Sequence, residues 1–327
     1  MKKSAFFFVF FLVGFFILAL IINKIGSQEI IKTLTLFRGL DGIRILVVTI
    51  LIVLVGTWKL QFILNSQGFK LPFFKLREIS LASFAVTYLF TPTAIVGGEG
   101  FKAYITKKEF SVPWEKALAS IAIEKILSIT LILPVSLLGI ILFVKTTNIS
   151  FGNIALFGAT IIAALTILIL IFYFKSFKKE SIISWFLKIF GIKRKENEGW
   201  FSDFEKEIFQ FFEPKKRVMW QGLLITLFQY FLILLRCWLI VFSLKEVVGF
   251  LMILVIFIFT YVAYLFPFPA GMGSLEAIQA FVFKTLGLGA ATGITFSLIL
   301  RGADLLSSLF GILFLAKWGT KLLETNF

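Results

Sequence analysis

One stretch constrains this chain more than any other: Leu265 to Arg301, which reads LFPFPAGMGSLEAIQAFVFKTLGLGAATGITFSLILR. An apolar run stops at Pro267 and Pro269, and a glycine-rich turn follows at Gly271 and Gly273. A short segment then starts at Ser274, carries Glu276, and leads into a second apolar run that holds Arg301. Proline lacks a backbone N–H and collides with the preceding turn, so a helix breaks there. Inside a bilayer such broken backbone survives only when buried in protein or beside a water-filled cavity. An ionisable residue at that depth is a functional candidate by default.

The same grammar occurs earlier, from Thr91 to Lys125. Pro92 matches Pro269, Glu99 matches Glu276, and Glu124 matches Arg301, all at an offset of 177 residues. The first turn reads Gly97-Gly98-Glu99, so its glycines sit differently. The pattern predicts a diverged internal repeat, with halves at about 79–144 and 249–316. Chance similarity between two Gly/Pro-containing membrane segments is the alternative. Matched broken segments in two halves are the arrangement expected of a transporter site.

Composition supports the membrane setting. Of 327 residues, 59% are hydrophobic, 43 are Phe and only 16% are charged; the mean hydropathy is +0.98. The expected fold is all-α, a polytopic helical membrane protein forming a single integral domain over 1–327. The net charge of +15 would suggest nucleic acid in a soluble protein. In a membrane protein the excess belongs on cytoplasmic loops and anionic lipid surfaces, so nucleic acid is excluded. With no histidine, imidazole bases, imidazole metal ligands and Ser-His-Asp chemistry are absent. The one cysteine, Cys237, allows no internal disulfide, and no phosphate-binding GxxxxGK[ST] loop occurs. No metal and no cofactor is implied.

Along the chain, Lys2-Lys3 precede an apolar run from Ser4 to Ile22 with no small-x-small cleavage site after it, which suits an uncleaved first helix. Further spans are expected at about 43–64, 113–144, 154–174, 218–242 and 290–316. Trp58 and Lys59 read as an interfacial belt residue and a snorkelling amine. The segment 79–90 is too short to cross comfortably, while 249–266 is long enough to span alone. The one long hydrophilic stretch, 175–217, carries eleven Lys+Arg and seven acidic residues, and within it 182–190 reads as an interfacial helix. Six full spans plus two re-entrant or broken hairpins of opposite orientation place that stretch and both termini in the cytoplasm. The outer face then keeps only Lys24, Lys32, Arg38, Arg44, Lys145, Lys245 and Lys284. The expected location is the cell membrane.

Charges inside apolar surroundings are the candidate site residues: Glu99, Lys102, Glu124, Lys125, Arg236, Glu276, Arg301 and Asp304. Each charge costs about 2.5–3.5 kcal/mol at a helix centre and needs a partner or water. Arg301 and Asp304, three apart, share a face and are expected to pair; Glu124 is expected to reach Arg301 across the repeat. Gln229 and Arg236 lie two turns apart on one face, with Thr226 nearby, and suit a cavity wall. Structural staples between helices are the alternative role for all of these. The turns are assigned to Pro92, Gly97, Gly98, Pro267, Pro269, Gly271 and Gly273. Half-helices starting at those turns present free N–H groups, which favour an anion such as a lipid phosphate.

The run from Pro92 to Lys102, the helix carrying Glu124-Lys125, and the run from Pro267 to Glu276 with Arg301 together resemble the transmembrane region of lysylphosphatidylglycerol synthases. The resemblance covers nearly the whole chain and implies a flippase-like membrane protein. Bifunctional members of that family add a cytoplasmic domain that transfers an aminoacyl group to lipid. The sequence reaches Phe327 without it, so aminoacyl transfer is not expected. The lead expectation is a lipid flippase or transporter for a lipid with an anionic or modified head group. A membrane scaffold for a separate lipid-modifying enzyme, docked through 175–217, is the second. An intramembrane transferase using Glu99 or Glu276 as base is the third. Expected partners are membrane lipids; a lipid-modifying enzyme and a second copy of the chain stay open.

Overall fold

A computed structural model describes residues 16, 19–20, 22–23, 26–91, 97–147, 152–181, 199–213 and 216–324. Among the described residues every helix-length element is α-helical and no strand occurs. Most of the first apolar run, Pro92, and the surface helix expected at 182–190 lie outside the described residues.

In chain order the helices are α1 (Ser27–Leu34), α2 (Gly39–Ser66), α3 (Phe73–Phe90), α4 (Glu99–Phe110), α5 (Trp114–Thr147) and α6 (Gly152–Lys178). They continue with α7 (Gly199–Phe211), α8 (Arg217–Ser243), α9 (Phe250–Tyr264), α10 (Ser274–Thr285) and α11 (Ala290–Glu324). Helices α2, α5, α8 and α11 are long and apolar enough to cross a membrane. Their outer faces suit lipid: Trp220, Leu224, Leu227, Phe228 and Phe231 of α8 are exposed on one side, an apolar stripe no soluble surface of this size needs. Helix α9 is shorter than these. It has 15 residues, about 22 Å of rise against a hydrocarbon core of about 30 Å, short of a full crossing by length, as the six-span reading of 249–266 expects.

Two helix–break–helix units organise the centre. Helix α3 begins at Phe73 and α9 at Phe250, the same offset of 177 seen in the sequence. Each is followed by a 12-residue helix, α4 or α10, and then by a long helix of 34 or 35 residues, α5 or α11. The breaks form for local reasons. Thr91, next to Pro92, is extended with φ −113° and ψ 155°, as residues before proline must be. Phe268, before Pro269, is likewise extended. Gly271 and Gly273 then take φ of 62° and 79°, which glycine adopts without a Cβ clash.

Small residues let the units meet. Gly311 of α11 lies against the Leu81 backbone oxygen and the Ala85 methyl of α3, and Gly293 lies against the Gln279–Ala280 backbone of α10. Any side chain there would push the helices apart, the usual reason for small residues at membrane helix contacts. Beneath them Ile240, Val255, Ile256, Phe257, Phe283 and Phe296 form a fully enclosed core between α8, α9, α10 and α11. The amphipathic α7 buries Ile208, Phe211 and its neighbour Phe212 against Ile123 and Leu127 of α5.

Candidate functional site

Side-chain hydroxyls tie each turn to the helix before it. In the first, Thr87 Oγ1 accepts from the Gly98 N–H at 2.8 Å, and Ser83 Oγ donates to the Gly98 carbonyl at 2.8 Å, tying the turn to α3. In the second, Ser274 Oγ donates to the Ala263 carbonyl at 2.9 Å, tying the turn to α9. Each turn glutamate accepts from a backbone N–H at the break. Gly97 donates to Glu99 Oε2 at 2.6 Å, and Gly273 donates to Glu276 Oε2 at 2.9 Å. The second contact is the N3-to-N-cap half of a capping box.

Each turn glutamate then reaches a cation on the long helix that follows. Lys125 pairs with Glu99 at 2.5 Å. Arg301 pairs with Glu276 at 2.8 Å and also donates to the Gly271 carbonyl at 3.0 Å. The structural counterpart of Arg301 is therefore Lys125, one residue beyond the position the sequence offset selects. Glu124 does not reach Arg301; it takes Lys102 of α4 at 3.0 Å. Nor does Arg301 pair with Asp304. One helical turn separates them, but Glu276 sits closer to the guanidinium, and Asp304 faces Arg236 of α8 at 2.7 Å. Tyr264 Oη donates to the other Asp304 oxygen at 3.3 Å, and Arg236 also touches Thr49 Oγ1 at 3.5 Å.

A cavity of about 340 Å³ lies between α2, α3, α4, α5, α8, α9 and α11. Six of the eight candidate residues line it: Glu99, Lys102, Glu124, Lys125, Arg236 and Asp304. Phe84, Ile233, Phe257 and Leu300 supply apolar wall, and Ser80, Ser83, Thr87 and Gln229 supply neutral polar wall. Glu276 and Arg301 stand outside that lining, with Glu276 fully enclosed and Arg301 7% exposed. They clamp the second break; the cavity belongs mainly to the first. Gln279, which occupies the Lys102 position at the repeat offset, donates to Thr260 Oγ1 at 2.8 Å and to the Ile256 carbonyl. Thus the second unit keeps one ion pair where the first has two.

Lys59 is the residue sequence reasoning misplaced. It does not snorkel: it is 2% exposed and turned into the bundle. Its ammonium donates to Gln229 Oε1 at 2.8 Å and to Ser128 Oγ at 3.2 Å. The signal was the α2 face itself, where Thr49 and Gly56, two turns apart, and Lys59 one turn further interrupt an apolar helix on one side. The nearby Trp58 does point outward, 48% exposed.

Comparison with protein families gives a direct match. The family model for the lysylphosphatidylglycerol synthase TM region matches residues 7–311. No curated protein matches the chain.

Proposed function

From the premise that this chain belongs to the lysylphosphatidylglycerol synthase TM region family, we propose that it is a lipid transporter of the cell membrane, moving a polar head group through the cavity at the first break. The observation that carries this reading is a cavity with three carboxylates and three cations in its wall, set among four membrane-length helices. Isolated charges in hydrocarbon are expensive, and crossing an unassisted bilayer is slow for a head group for that reason. A polar wall supplies substitutes for water, while the acyl chains stay in lipid.

The topology of the proposal follows charge. Loops 65–78 and 175–217 and both termini lie in the cytoplasm, and the two broken units enter from opposite faces as an inverted repeat. The first unit serves as the path and the second as its fixed counterpart. The scaffold alternative has less in its favour over 199–213, because the apolar face of α7 is already occupied by α5 of the same chain.

Reconstitution tests the proposal. Vesicles containing the purified protein and head-group-labelled lipids should expose inner-leaflet label to a membrane-impermeant quencher faster than protein-free vesicles. Lys102→Met and Lys125→Met should lower that rate at least several-fold while the protein stays folded. Rates equal to those of empty vesicles for anionic, zwitterionic and cationic lipids alike would refute it.

A further inference from the structure

The charges around the broken units do not balance. Four ion pairs use Glu99, Glu124, Glu276 and Asp304, each with its own cation. Lys59 remains, more deeply buried than Lys102 or Lys125, and among the described residues no carboxylate lies within ion-pair distance of it. Its two acceptors are neutral oxygens. Neutral oxygens solvate an ammonium but leave its charge standing, and in a low-dielectric interior that charge attracts any anion that can approach.

Gln229 connects this charge to the cavity. An ammonium can only donate, so the Gln229 carboxamide must turn its oxygen toward Lys59. Its NH2 is thereby aimed away from the ammonium, beside Gly56, where an added Cβ would come within 2.8 Å of the amide nitrogen. Gly56 and Gln229 both line the cavity. Two polar atoms of lining residues, Arg236 Nε and Ser80 Oγ, are buried without a hydrogen-bond partner. The lining itself is balanced, three carboxylates against three cations, so Lys59, held behind Gln229, leaves one positive charge in excess beside the cavity.

We propose that this cavity binds a phosphate ester carrying one net negative charge beside Gln229, and that Lys59, acting through Gln229, sets the charge preference. This deepens the transport reading and rests on it for a lipid as the source of the ester. A zwitterionic head group brings no net charge to offset Lys59; a cationic one adds to the excess. A phosphodiester anion restores neutrality.

The test is binding, separate from transport. Purified, delipidated protein is equilibrated with equal amounts of phosphatidylglycerol and phosphatidylcholine of identical chains, and retained lipid is quantified. The wild type should retain the anionic lipid about tenfold or more over the zwitterionic one, the scale of one partly buried charge interaction. Lys59→Met should bring the ratio to within about twofold of unity. Gln229→Glu should do the same without removing the lysine, because it supplies the missing negative charge from within; it keeps the test available if the methionine variant fails to fold. Lys59→Arg should retain the preference. Lys70→Met, at an exposed lysine, should leave it intact and so controls for net charge alone. Soluble glycerophosphoglycerol separates the sources: displacement of bound lipid means the ester suffices, and no displacement means the acyl chains are required. An even ratio in the wild type, or a wild-type ratio in both Lys59→Met and Gln229→Glu, overturns the inference. Unselective binding with transport intact would sink this inference alone; selective binding without transport would sink the transport proposal alone.

Discussion

Two glutamates at equivalent breaks have different jobs, and burial decides which. Glu276 is fully enclosed and its partner Arg301 nearly so, whereas the side chains of Glu99 and Lys125 are 22% and 39% exposed on the cavity wall. Removing one member of a sealed pair leaves a buried, uncompensated charge, which costs roughly 3–5 kcal/mol. Removing one member of a solvated pair costs about 1 kcal/mol or less. Glu276→Gln should therefore lower the thermal midpoint in detergent sharply, while Glu99→Gln should leave it nearly unchanged and act on transport. Equal losses from the two would show that the pairs are not specialised. The double variant Glu276→Met/Arg301→Met should recover much of the stability lost by Glu276→Gln, since it leaves no charge unpaired. A double variant less stable than the single one would mean that the Arg301 contact to the Gly271 carbonyl, not the ion pair, holds the turn.

At the scale of elements, helix α3 is held between its own break and α11. Gly311 has the Leu81 backbone oxygen where a side chain would go, so Gly311→Val should force α3 and α11 apart. Overpacking of this kind costs about 1–3 kcal/mol, and the loss would appear in the same unfolding measurement. An unchanged midpoint would place the α3–α11 contact elsewhere. This contact was not legible in the sequence, although both breaks were. Proline, glycine and a following glutamate report local backbone geometry, and the sequence states them outright. Pairing partners depend on how helices are rotated and shifted against each other, which no local pattern records. That is why Arg301 and Asp304, adjacent on one helix face, each turn to a different element. It is also why the sequence offset aligns Glu124 with Arg301 although the spatial counterpart is Lys125. Lys59 is hard to read for a different reason: a lysine near a tryptophan resembles an interface anchor, and only the run of Thr49, Gly56 and Lys59 along α2 points inward.

For the whole molecule, transport requires a defined orientation and an occupied cavity. Cys237 is buried, so single cysteines placed elsewhere can be read against a low background. Lys70→Cys should react with an impermeant maleimide only from the cytoplasmic side, and Val247→Cys, at a position 95% exposed, only from outside. Labelling of both from the same side would invert or break the proposed topology. The most direct test of the central claim is where a lipid head group rests. A phospholipid with a photoreactive group on its phosphate end, crosslinked in reconstituted membranes and mapped by peptide mass spectrometry, should mark α2 between Thr49 and Thr57, α3 between Ser80 and Thr87, and α8 between Gln229 and Arg236. Label found only on the lipid-facing stripe from Trp220 to Phe231, with none on those three segments, would contradict it.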